Sequence, residues 1–149
     1  MGTPFSNLVK VGSIGLNSPF FPITILSAPI VTVLANSIDW SLCREIIVDY
    51  YSKRGIPVVR VTPENFTRES GFIIILGGPD AYEGVGNISA QLLSLKDQEW
   101  LRKDPESYGK FEFVNVWVKR QHVVILAGHN RYLTRKAVEE SFKEQRQAN

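Results

Sequence analysis

Three short segments hold most of the side chains that could do chemistry: Asn36-Ser37-Ile38-Asp39, Gly77-Gly78-Pro79-Asp80 and Gly128-His129-Asn130-Arg131. Together they supply two carboxylates, a hydroxyl, an imidazole, a guanidinium, amides, and glycines that let a backbone come close to a ligand. Three chemistries use such a set. An arginine, an imidazole and the backbone N–H groups of helix starts favour a small anion. Asp39, Asp80, Glu83 and His129 offer the oxygen and imidazole donors of a divalent cation site. Ser37, His129 and Asp80 are the residue types of a nucleophilic triad, although no G-x-S-x-G turn surrounds Ser37. Beside all three stands the ordinary use of Asn, Ser, Asp and Gly in strand-to-helix turns, with Asp39 and Asp80 as plain N-caps. The run GGPDAYEGVG over residues 77–86 matches neither the phosphate-binding P-loop nor the dinucleotide fingerprint. The expectation is a ligand-binding edge formed by Asn36, Ser37, Asp39, Gly77, Gly78, Asp80, Gly128, His129, Asn130 and Arg131. No catalytic residue, cofactor or metal is assigned to it.

The elements around these segments explain why they should meet. Residues 31–35 form a short β-branched run. They are followed by a helix capped by Asp39, with Leu42, Ile46, Ile47 and Tyr50 at spacings of three and four and Gly55 as its C-cap. Residues 57–61 (PVVRV) and 72–76 (FIIIL) read as strands, the second apolar enough to be covered on both faces. A helix is expected over residues 88–101. An alternating strand over 111–118 turns through Lys119-Arg120-Gln121 into a strand over 123–126. A last helix over residues 133–145 carries Ala137, Val138 and Phe142 on its apolar stripe. This order predicts an α/β fold: one three-layer domain with a mostly parallel, flavodoxin- or Rossmann-like sheet and one antiparallel hairpin insertion. In such a sheet ligands sit beyond the carboxyl ends of the strands, where the three segments fall.

Composition narrows the function classes. The chain has 149 residues, of which 44% are hydrophobic and 21% charged, with a net charge of +2. That is one soluble-type domain, with too little positive charge to expect a nucleic-acid partner. Arg131, Arg135, Lys136, Lys143 and Arg146 interleave with Glu139, Glu140 and Glu144 and read as a solvated helix face. Trp40, Trp100 and Trp117 form no stacking pattern. A single cysteine, Cys43, allows no disulfide within the chain and is expected to be buried and inert. Charge is unevenly spread: before Asp39 the only charged side chain is Lys10, and four of the eight prolines lie in the first thirty residues. Residues 1–30 are therefore expected to form an apolar, proline-rich arm ahead of a domain over 31–149. The run 20–35 is broken by prolines and is expected neither to span a membrane nor to act as an export signal. Residues 23–26 are expected as an edge strand, packed on the domain or on a second copy of the chain.

Two segments also carry a resemblance. FIIILGGPDAYEGVGNI (72–88) and VVILAGHNRYLTRKA (123–137) resemble an archaeal cell-surface domain of S-layer-type and cell-wall-binding proteins. The matching residues are Gly77, Gly78, Pro79, Asp80 and Ala81, then Ala127, Gly128, Arg131, Thr134, Arg135 and Ala137. Glu99-Trp100-Leu101-Arg102 and residues 114–118 are also similar. The resemblance implies an α/β domain that binds an envelope component without catalysis, and it implies a cell-surface location. The amino-terminal run, lacking a clear signal pattern, points to the cytoplasm instead. The alternative reading is a binding protein for a nucleotide, a phosphosugar or a metal-bound anion at the sheet edge.

Overall fold

The computed structural model describes residues 29–148, with side chains through Lys143. The edge strand expected over residues 23–26 lies outside the described residues. Five strands are present among them: β1 (Val31–Leu34), β2 (Val58–Val61), β3 (Phe72–Leu76), β4 (Tyr108–Val114) and β5 (His122–Gly128). The four helices are α1 (Ser37–Ser52), α2 (Val85–Leu92), α3 (Leu95–Lys103) and α4 (Arg131–Ala148). The strands form one sheet in the order β2-β1-β3-β5-β4. All neighbours are parallel except β4 and β5, which make the antiparallel hairpin.

The apolar runs choose the middle of the sheet. Every residue of β1 and β3 is buried, as are Val123 to Ala127 of β5. Alternation along each strand then divides the core in two. Val31, Val33, Phe72, Ile74, Leu76, Val124 and Leu126 face α1 and α4, whose Cys43, Ile47, Tyr50, Tyr51, Ala137, Val138 and Phe142 cover them. Tyr50, Tyr51 and Phe142 close that layer as an aromatic group with centroids 4.9–5.9 Å apart. Leu34, Ile73, Ile75, Val123, Ile125 and Ala127 face the other way, under Val85, Ile88, Leu93 and Leu101. The result is a three-layer α/β domain. The crossover from β1 to β2 lies on one face and the crossover from β3 to β5 on the other. Chain order reverses between β1 and β3, and a crevice opens there.

Several expected boundaries move, for local reasons. α1 begins at Ser37 because Asn36, not Asp39, is its cap: Asn36 Oδ1 accepts from the Asp39 backbone N–H at 2.7 Å. Its buried stripe runs through Cys43, Ile47, Tyr50 and Tyr51, leaving Leu42 and Ile46 only partly covered. Its C-cap is Lys53, and Gly55 follows two residues later at φ 68°. The helix expected over residues 88–101 is two helices. Leu93 turns extended, Ser94 caps α3 by accepting from the Asp97 N–H at 3.0 Å, and the Gln98 amide donates to the Ala90 and Leu93 carbonyls. Ser94→Ala is expected to lower stability by about 1 kcal/mol, read as a shift in urea midpoint at unchanged slope. β4 starts at Tyr108 and stops at Val114, earlier than expected, because Asn115 takes a left-handed φ of 52° and ends the ladder. α4 starts at Arg131, two residues early, with Asn130 accepting from the Leu133 N–H at 3.0 Å.

Candidate functional site

The carboxyl ends of β1, β3 and β5 surround a cleft of about 290 Å³. Asn36 and Asp39 form one wall, Gly77 to Tyr82 the floor and second wall, Leu101 and Arg102 of α3 the third, and Gly128 to Arg131 the fourth. Of the ten residues expected at this edge, nine line the cleft: Asn36, Asp39, Gly77, Gly78, Asp80, Gly128, His129, Asn130 and Arg131. Ser37 does not. It sits on the outer side of the α1 start, where its backbone N–H and hydroxyl both donate to the Glu83 carboxylate, at 3.2 and 2.5 Å.

Asp39 is the most unusual group in the wall. It sits in the first turn of α1 and is only 5% exposed. The Asn36 side-chain amide donates to its Oδ2 at 3.0 Å. Gly77 allows this carboxyl to lie against the end of β3: at φ 114°, a Cβ there would meet Ala81 Cβ at 2.6 Å and Asp39 Oδ2 at 3.2 Å. Burial raises the Asp39 pKa from 3.8 to about 6, against the lowering effects of the Asn36 hydrogen bond and the positive charge of Arg131. Glu83 adds a smaller push upward.

The other polar groups are held in defined states. His129 Nδ1 lies 2.9 Å from the Leu101 carbonyl oxygen, which can only accept. Nδ1 therefore carries a proton and donates it to that carbonyl. The His129 backbone N–H donates to the Ser107 carbonyl at 2.9 Å, fixing the residue at the end of β5. Thr134 Oγ1 accepts from the Gly128 N–H at 3.1 Å and ties the α4 start to the same strand. Asp80 is paired in a fork with Arg102, both bonds 3.0 Å, on the exposed rim. Such an exposed pair adds little stability, but it neutralises the Asp80 charge at the mouth. Arg131 has no carboxylate within ion-pair distance among the described residues.

These partners decide between the chemistries the residue types allowed. The triad order is not assembled: Ser37 donates to Glu83, Asp80 binds Arg102, and the His129 Nδ1 proton goes to a carbonyl. Asp39, Asp80, Glu83 and His129 do not converge. Among the described residues no three His, Cys, Asp or Glu side chains come together as a metal site. Cys43 is buried on the core-facing side of α1, its thiol pushed up to about 12 by burial, so it is no nucleophile at neutral pH. What remains is a polar cleft with a cationic arginine, an imidazole and a buried carboxyl whose pKa is raised. Arg102, Thr134 and Tyr82 also line this site and were not among the residues expected there. Arg102 and Thr134 stood only among the residues that carry the resemblance, and Tyr82 is an aromatic residue inside a glycine loop. A scan against protein-family models gives no match, and no curated protein matches the sequence. Among the described residues no helix is long and apolar enough to cross a membrane.

Proposed function

We propose that the chain is a binding domain, not a catalyst, and that it takes a small anionic ligand in the cleft at the carboxyl edge of the sheet. The observation that carries this reading is the gathering of three strand-end loops around one cavity lined by Arg131, which has no ion-pair partner among the described residues. Two further features support it. At the α4 start Asn130 accepts from the Leu133 and Thr134 N–H groups, which leaves those of Arg131 and Tyr132 at a helix end that favours an anion. The groups that could have made a nucleophile or a metal site are bonded elsewhere.

The test is a melting-temperature screen of the full chain against inorganic phosphate, sulfate, sugar phosphates and nucleotides. A ligand at a hundred times its Kd stabilises the fold by about 2.7 kcal/mol, a rise of about 5–10 °C for a domain of this size. Arg131→Ala is expected to weaken the best hit at least about ten-fold, because a charge-assisted contact is worth about 1.5–3 kcal/mol. A flat screen, or an Arg131→Ala variant that binds as well as the parent, overturns the reading.

The resemblance of both loop segments to archaeal envelope domains supports one source for such a ligand, the anionic groups of cell-envelope material. Retention of the full chain on isolated envelope, lost in Arg131→Ala, is the expected result. The apolar composition of residues 1–30 supports self-association as a further proposal, tested by light scattering of the full chain.

A further inference from the structure

One wall of the cleft carries an aromatic residue that, among the described residues, belongs to neither side of the core. Tyr82 lines the cleft and is 61% exposed. No ring or cation packs on it among the described residues; the aromatic and cation–π contacts lie elsewhere. Tyr82 belongs to neither side of the core, and aromatic side chains are among the usual lining of ligand clefts.

Its backbone, by contrast, is firmly held. Glu83, the next residue, stands at φ 59°, a left-handed conformation that glutamate rarely adopts. Strain of this kind persists only where the surroundings enforce it. Here the enforcement is visible: the Glu83 carboxylate is latched onto the Ser37 N–H and hydroxyl at the start of α1. The Asn36 amide reaches the Tyr82 carbonyl at 3.5 Å from the same helix cap. A strained latch on one side and the cap of α1 on the other thus fix the backbone that carries the exposed Tyr82 at the cleft.

We infer that Tyr82 is a stacking platform for the ring of the ligand, and that the Glu83–Ser37 latch positions it. This rests on the anion-binding reading and names the ligand class within it: a phosphate ester of one ring, a sugar or a base. Size agrees. A cleft of about 290 Å³ lies at the small end of ligand sites, enough for one ring and one anionic group. The anion goes to Arg131 and the ring to the wall formed by Tyr82. An aromatic face suits a base by stacking, whichever base it is, and a sugar by contact with the C–H face of its ring.

The experiment is calorimetric titration of the full chain with inorganic phosphate, ribose 5-phosphate and adenosine monophosphate. It is repeated with Tyr82→Ala, Tyr82→Phe, Ser37→Ala and Tyr132→Ala. Tyr132 is 68% exposed but does not line the cleft, so it controls for loss of a surface aromatic. Tyr82→Ala is expected to weaken the ring-bearing probes about ten-fold while phosphate changes less than about two-fold, and Tyr82→Phe to bind like the parent. Loss for both esters assigns the stacked ring to the sugar; loss for adenosine monophosphate alone assigns it to the base. Ser37→Ala, which keeps the ring but removes half the latch, is expected to weaken the same probes by a smaller factor. Melting temperatures of the variants verify that each is folded. If phosphate binds and Tyr82→Ala takes the esters as tightly as the parent, the platform is wrong and the anion site stands. If none of the three probes binds, both readings fall.

Discussion

Gly128→Ala is expected to lower stability by about 3 kcal/mol and to damage the cleft with it. A Cβ at this position would lie 2.4 Å from the Leu133 carbonyl carbon and Cβ and 2.7 Å from the Thr134 nitrogen. These are backbone and near-backbone atoms of the first turn of α4, so no flexible side chain can swing aside. That turn is itself pinned, by Thr134 Oγ1 on the Gly128 N–H and by Asn130 on the Leu133 N–H. The clash is relieved only by lifting α4 from β5, which opens the layer filled by Ala137, Val138 and Phe142. Overpacking of this kind costs about 1–3 kcal/mol, and a backbone clash belongs at the upper end. Two other glycines calibrate the result. A Cβ at Gly55 meets nothing within 4 Å, but φ there is 68°, so Gly55→Ala is expected to cost about 1 kcal/mol through backbone conformation alone. Gly71 has neither a neighbour within 4 Å nor a positive φ, and its alanine variant is expected to be neutral. Urea midpoints ranked Gly71, Gly55, Gly128 in increasing loss are the expected series. A Gly128 variant as stable as the Gly71 variant would show that α4 does not press on β5.

Much of this architecture was legible because burial writes itself into sequence as period and run length. FIIIL suits a strand covered on both faces, and the alternation along it assigns Ile73 and Ile75 to one layer and Phe72, Ile74 and Leu76 to the other. The three strand-end segments were legible for the same reason: in a parallel sheet all strand ends that feed helices share an edge. Pairings across elements left no such trace. Asp80, in the turn after β3, finds Arg102 22 residues away on α3, and Ser37 finds Glu83 46 residues away, so Ser37 turns out of the cleft it was expected to line. Gln121 shows the limit most clearly. In sequence it is one polar residue of a turn. In the fold it is fully buried, its amide donates to the Arg68 and Ser70 carbonyls, and its carbonyl oxygen accepts from the Trp117 N–H. Only the three-dimensional arrangement of two distant loops gives it that role. The breaks at Ser94 and Asn115 were missed for a simpler reason: a capping bond or one left-handed residue overrides an apolar period that continues past it.

Asp39→Asn is expected to make the protein more stable at pH 7.5, by about 2–3 kcal/mol, and to leave it nearly unchanged at pH 4. The unfolded chain releases the Asp39 proton near 3.8, whereas the folded protein holds it to about 6. Between those values the folded state binds more protons, so Asp39 makes stability fall as pH rises through the window. Below 3.8 both states are protonated and the penalty is absent; above 6 it is complete. At 1.36 kcal/mol per pH unit the full penalty is about 3 kcal/mol. Asparagine has the same shape and can still accept from the Asn36 amide, but carries no charge to desolvate. The difference in urea-derived stability between parent and variant, followed from pH 4 to 8, isolates this group from the other carboxylates. A difference that does not grow with pH would mean that Asp39 titrates like a surface aspartate. A carboxyl kept in a cleft wall at such a cost calls for a use beyond folding. The groups facing it suggest what that is: Arg131 lowers its proton affinity, while Glu83 raises it, and its own charge helps push up the Cys43 thiol. An anion arriving beside Arg131 cancels the lowering influence and raises the Asp39 pKa further. Proton and anion must then favour one another, by linkage. Sulfate, whose charge is constant over this range, is therefore expected to bind more tightly at pH 5 than at pH 7.5, and Asp39→Asn to remove most of that dependence. Equal pH dependence in parent and variant would separate Asp39 from the ligand and leave its stability cost without a function.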